Sequence, residues 1–158
     1  MLPVDTPTAI RSYWDAFRAT QAMDPTPRFY EAFHFGDNEA LANGLADLVL
    51  AGRKRATTTL RWSFEADGKP LPSPGSLSIV TNWKGAPLCV IETRRVRVMP
   101  FEEVPECFAA AEGEGDGTLR DWRAAHWAYF SRQCVRLGRE PEATMPLVCE
   151  EFDVVPSN

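Results

Sequence analysis

A lysine next to a hydroxyl is a workable nucleophile pair, and the segment Gly52-Arg53-Lys54-Arg55-Ala56-Thr57 sets Lys54 and Thr57 three residues apart. A desolvated neutral lysine can take the hydroxyl proton, and a charged one can lower the hydroxyl's pKa. The plainer reading of these cations is a helix C-terminus decorated with charges that favour its dipole. Further along, Glu112-Gly113-Glu114-Gly115-Asp116 carries three carboxylates separated by glycines. Held opposite the basic segment, one of them could act as general acid or base; otherwise the stretch is an acidic loop before a helix start. Its spacing does not follow the EF-hand calcium pattern.

Other chemistry-bearing residues are less suggestive. His126 falls on an apolar helical stripe and reads first as a hydrogen-bonded core histidine, and His34 has no evident role. Trp62, Trp83, Trp122 and Trp127 could stack a base, but their periodicity makes most of them core. Cys89, Cys107 and Cys149 sit in apolar runs and read as small buried hydrophobes. The four cysteines form no C-x-x-C pair, and with only two histidines no metal site is expected. No cofactor is implied either, since P-loop, dinucleotide, G-x-S-x-G and H-E-x-x-H motifs are all absent.

The elements that must position these residues follow from periodicity. Ile10, Tyr13, Trp14 and Phe17 predict a helix over about residues 7–20. Asp37 or Asn38 can cap a second, with Leu41, Leu45, Leu48 and Val49 as its apolar stripe and Gly52 as its left-handed terminus. Thr57 to Phe64 reads as a strand, followed by strands over 77–81 and 88–98. Residues 100–108 read as a short helical or turn element. The longest helix has Thr118 as cap, and Leu119, Trp122, His126, Tyr129, Phe130, Cys134 and Leu137 as its buried stripe; Gly138 ends it. A closing strand covers 147–155. This order predicts an α+β domain with a small, barrel-like sheet.

Length and composition set the frame. The chain has 158 residues, 44% hydrophobic and 25% charged, which suits one globular domain rather than a disordered or fibrous chain. No apolar run is long enough for a membrane span, and the start lacks the pattern of a secretory signal, so a cytoplasmic protein is expected. A net charge of −5 argues against a long polyanionic partner, while the local basic stretches suit a small anion, a nucleotide or a short single strand.

Taken together, the residues resemble the ASCH domain, a small PUA-like β-barrel flanked by helices, in its longer bacterial branch with an N-terminal helical extension. The resemblance is carried by Phe35-Gly36-Asp37, by Leu50-Ala51-Gly52 leading into the G-x-K-x-x-T signature of Gly52 to Thr57, and by Val90-Ile91-Glu92-Thr93. It continues through Glu112 to Asp116, Thr118-Leu119, Trp122-Arg123, His126 and Val148 to Phe152. It implies an extension over 1–32, a domain over 33–158, and a cleft that binds a nucleoside or single-stranded RNA.

One branch of the family is similar to amidohydrolases of N4-acetylcytidine. That likeness implies Lys54, Thr57 and Glu114 as catalytic residues, with Glu112 and Asp116 as alternatives for the carboxylate; Thr57 would attack the acyl carbon, Lys54 assist and Glu114 protonate the leaving amine. Arg53, Arg55, Glu92, Glu112, Asp116, Arg123 and His126 are the expected substrate contacts. A metal-independent ribonuclease and a non-catalytic RNA-binding module are the alternatives, and the same residue types serve them. Lys54→Ala and Thr57→Ala are expected to leave folding intact and abolish hydrolysis.

Overall fold

The computed structural model describes residues 2–156. Five helices and five strands follow in the order α1 Thr8–Arg18, β1 Phe29–Phe33, α2 Glu39–Leu50, β2 Ala56–Leu60, α3 Arg61–Asp67, β3 Leu77–Thr81, β4 Pro87–Pro100, α4 Glu106–Glu112, α5 Leu119–Leu137 and β5 Pro146–Val155. The expected α+β class holds. The strands form one mixed sheet in the order β1-β3-β4-β5-β2, with β1 parallel to β3 and every other pair antiparallel. The sheet is open rather than a closed barrel: β1 and β2 are its two edges. Both edges line one cavity, so the sheet curls without joining them.

Each face of this sheet has its own cover. Ile10, Trp14 and Phe17 of α1 pack on Leu77, Ile79 and Val90. Ala46 and Val49 of α2, with Phe35, pack on Val80, Ile91 and Phe152. The third and largest cluster joins Phe108 of α4 and Trp122, Phe130 and Cys134 of α5 to Ala56, Leu60 and Leu147. The expected boundary at 32/33 falls inside β1, and α1 shares its core with β3 and β4. Among the described residues, no helix is long and apolar enough to cross a membrane.

Several local expectations are corrected. Trp62 and Phe64 lie in α3, not in a continued strand. Pairing of β2 with β5 ends at Leu60 opposite Leu147, next to Pro146, which has no N–H to donate. The chain turns helical there instead, with Arg61 and Glu65 one turn apart at 3.7 Å. In α2 the buried face is Ala42, Ala46 and Val49, small residues that let the helix approach the sheet, while Leu41 and Leu45 line the cavity. Cys107 is exposed on α4, whereas Cys89, Cys134 and Cys149 are buried. Asn38 caps α2 and Thr118 caps α5, each accepting a backbone N–H three residues on.

Candidate functional site

The end of α2 turns Lys54 inward. Gly52 takes φ +77°, a conformation that costs glycine little, and the N–H groups of Arg53 and Lys54 both donate to the Leu48 carbonyl at 2.9 and 3.1 Å. Arg55 N–H then donates to Ala111 at the end of α4, at 2.8 Å, and Arg55 accepts from Phe152 N–H of β5 at 2.9 Å. This clasp sets the basic segment against the acidic one. Gly113, at φ +68°, permits the approach, because a Cβ there would run into the Arg53 carbonyl.

Lys54 is 1% exposed despite its charge. Its ammonium donates to Ala56 O at 2.8 Å, Glu114 Oε2 at 2.8 Å and Glu112 Oε1 at 3.3 Å, and the Phe35 ring lies 5.2 Å away. Burial works against the charged form, but Glu112 and Glu114 outweigh it and hold the pKa above the ordinary lysine value. Of the two states the sequence leaves open, the structure supports the ammonium.

Glu112, the last residue of α4, is equally buried. Its other oxygen accepts from Trp122 Nε1, from His126 Nε2 at 2.8 Å and from Thr58 Oγ1 at 3.4 Å. Burial again opposes ionisation, yet Lys54, His126 and Trp122 keep this carboxyl well below its usual range. His126 stacks on the Trp122 ring with centroids 4.3 Å apart, and its Nδ1 lies 2.9 Å from the Trp122 carbonyl. Both ring nitrogens therefore face acceptors. Burial lowers the histidine pKa, but the bond to Glu112 more than offsets it and the net shift is upward. The cluster sets two basic side chains, Lys54 and His126, against two carboxylates, with Glu114 its most open member.

One oxygen or nitrogen each from Glu112, Glu114 and His126 lie within 4.8 Å of one another, a grouping that could in principle hold a cation. The Lys54 ammonium already bridges the two carboxylates. The donor set is thus matched to an internal cation rather than to a metal.

Beside this cluster lies a cavity of about 470 Å³. Lys54, Thr57, Glu112, Glu114 and His126 all line it, so the structure brings five of the expected residues together. The other five lie elsewhere. Arg53 and Asp116 are exposed on a shallow outer surface, and Asp116 accepts from the Thr118 N–H and hydroxyl. Arg55 faces Asp153 at 3.6 Å, Glu92 pairs with Arg28 and Arg94, and Arg123 donates to the Glu102 carbonyl. None of the tryptophans lines the cavity.

The same cavity is also lined by groups that sequence reasoning missed. Glu31 of β1 pairs with Lys69, beyond α3, at 2.7 Å. Glu150 of β5 accepts from Thr93 Oγ1 at 3.2 Å. Burial pushes the Glu150 carboxyl up to about 7; Glu31 adds to the rise, and Thr93 and Lys69 oppose it. The signal was an acidic residue inside the closing apolar strand, Val148-Cys149-Glu150.

Comparison with known proteins gives a consistent picture. The family model of the ASCH domain matches residues 31–156. A crystal structure of an ASCH domain from Lactobacillus crispatus matches with a TM-score of 0.89 at 35% identity, covering 98% of this chain and 98% of the other. A protein from Enterococcus faecalis matches at 0.81 and 30% identity, covering 93% and 88%. A hypothetical protein at 17% identity and a TM-score of 0.53, covering 80% and 99%, shares the fold alone. No curated protein matches the chain.

Proposed function

The chain belongs to the ASCH domain family, which is PUA-like, and we propose that it is a hydrolase of an N4-acylcytidine-type amide on a modified nucleoside. The observation that carries this reading is the single cavity into which Lys54, Thr57 and Glu114 all open. Its volume of about 470 Å³ falls within the range of small-ligand sites. The outer arginines argue against a polymer track. Arg55, Arg94, Arg95 and Arg132 are each tied to a carboxylate, and the net charge is −5.

In this reading Thr57 Oγ1 adds to the acyl carbon. No protein group engages the Thr57 hydroxyl among the described residues, which leaves it available to a ligand. Lys54 supplies a fixed positive charge that lowers the cost of the developing oxyanion in a partly dry cavity. Glu114, bonded to Lys54 on one oxygen, accepts the N4–H of the substrate and fixes the leaving nitrogen. The acyl-threonine is then hydrolysed by water.

Parallel incubation with N4-acetylcytidine and with a short labelled single-stranded RNA, EDTA present in both, tests the assignment. Wild type is expected to release cytidine, and Thr57→Ala to lose the reaction by about a hundredfold or more while unfolding like wild type. Cleaved RNA with intact nucleoside would replace this reading with a ribonuclease. No change in either substrate would leave a binding module.

A further inference from the structure

We infer that Glu150 takes the proton from Thr57 Oγ1 and passes it to the leaving nitrogen, which makes it a further catalytic residue of the hydrolysis proposed above, on which this inference rests. The first reason is elimination. All three Lys54 protons are engaged, by Ala56, Glu112 and Glu114, so its ammonium has no lone pair to offer. Glu112 is saturated by Trp122, His126, Thr58 and Lys54. His126 has both nitrogens against acceptors. Glu114 bears the Lys54 ammonium on one oxygen and, in the hydrolysis proposed above, takes the substrate N4–H on the other.

The second reason is register. Thr57 of β2 lies directly opposite Glu150 of β5 in the antiparallel ladder. Residues so paired point to the same face with their Cβ atoms about 5 Å apart, within reach of a carboxylate for a hydroxyl. Both residues line the cavity. One Glu150 oxygen is held by Thr93, and the other has no protein partner among the described residues. The carboxyl is thereby oriented but left with a free oxygen.

The charged and titratable surroundings suit a proton carrier. From β1, Glu31 and Tyr30 face Glu150, and Lys69 faces it from beyond α3; Glu31 and Lys69 pair with each other. The result, a carboxyl raised to about 7, divides Glu150 between its two protonation states near neutral pH, where proton transfer in both directions is efficient.

The step balances with one proton. As Thr57 Oγ1 bonds to the acyl carbon, its proton passes to the Glu150 carboxylate. As the C–N bond breaks, that proton moves to the departing N4 and completes the amine. In the second half, water oxygen bonds to the acyl carbon and gives a proton to Glu150. The ester C–O bond then breaks, the Glu150 proton returns to Thr57 Oγ1, and the acid is released.

The test is the pH dependence of N4-acetylcytidine hydrolysis in wild type, Glu150→Asp and Glu150→Gln. Wild-type kcat/KM should rise with an apparent pKa of about 7. Glu150→Gln should lower kcat about a hundredfold or more, leave KM within about twofold, and abolish that rise. Glu150→Asp should keep the rise at reduced rate. Folding is controlled by thermal unfolding at pH 8. The stability tied to a raised carboxyl pKa is full below its unfolded value and lost as pH rises through about 7, so Glu150→Gln should unfold no lower than wild type there.

A Glu150→Gln variant with wild-type kcat, or with low activity that keeps the same acid limb, would overturn the role of Glu150 and leave the hydrolase reading standing. A wild type that releases no cytidine would overturn both.

Discussion

Lys54 shows how burial changes the meaning of a residue. As a cation near a helix end it would be a solvated charge whose removal costs little, and Lys54→Ala would be a clean activity probe. The structure places it at 1% exposure, bonded to two carboxylates, one of them also at 1%. Removing it takes the ammonium from two neighbouring carboxylates and leaves the buried Glu112 with only His126, Trp122 and Thr58, a loss of about 3–5 kcal/mol. In urea unfolding at pH 7, Lys54→Ala should fall by that order; a midpoint equal to wild type would show that the pair adds nothing. Thr57→Ala is the cleaner activity variant. The sequence singled out Lys54, Thr57, Glu112, Glu114 and His126, which the fold brings to one cavity, because motif residues can be picked out without coordinates. It missed Glu150, since an acidic residue in a closing strand reads as the solvent side of a half-buried ladder. Its place in a cavity depends on how the sheet curls, which alternation cannot show.

At the level of elements, the site is a joint between the end of α2 and the end of α4, closed by Arg55 N–H on Ala111 and tolerated by Gly113. Gly113 and Gly117 both adopt positive φ, but only at Gly113 would a Cβ strike another segment's backbone; at Gly117 it would meet nothing. Both alanine variants should lose about 1 kcal/mol from the left-handed backbone. Gly113→Ala should lose clearly more and raise KM as the two loops separate, whereas Gly117→Ala should keep wild-type KM. Equal unfolding midpoints and equal KM values would remove Gly113 from this role. Helices with caps and long periodic strands were legible: Asn38, Thr118, Gly138 and the spans 77–81 and 147–155 all match closely. β1 was not, because Phe29–Phe33 is half-buried at every position and shows no alternation. Its partner is a parallel strand on the far side of α2 and α3.

At the scale of the molecule, charge separates a nucleoside site from a polymer track. Each phosphate neutralised by a protein cation makes affinity fall with salt, by close to one logarithmic unit per tenfold salt. N4-acetylcytidine carries no phosphate, so this protein should bind it with a slope near zero between 50 and about 200 mM salt, and pairing of Arg55, Arg94 and Arg95 with carboxylates leaves fewer cations for a polymer. Calorimetry across that range checks it, and a steep slope for single-stranded RNA would favour the polymer.

The strand order also has a consequence in time. Among the described residues, β2, which carries Thr57, has no sheet partner except β5, the last of the five strands. During synthesis at about 5–20 residues per second, β2 emerges roughly 4–20 seconds before the strand that must hold it. Glu112, Glu114 and Ala111 emerge within that interval, but the Phe152 half of the clasp and the ladder position that faces Thr57 stay vacant until β5 arrives. The Thr57–Glu150 half of the site is therefore completed only when β5 docks, after the Lys54 cluster has all its residues.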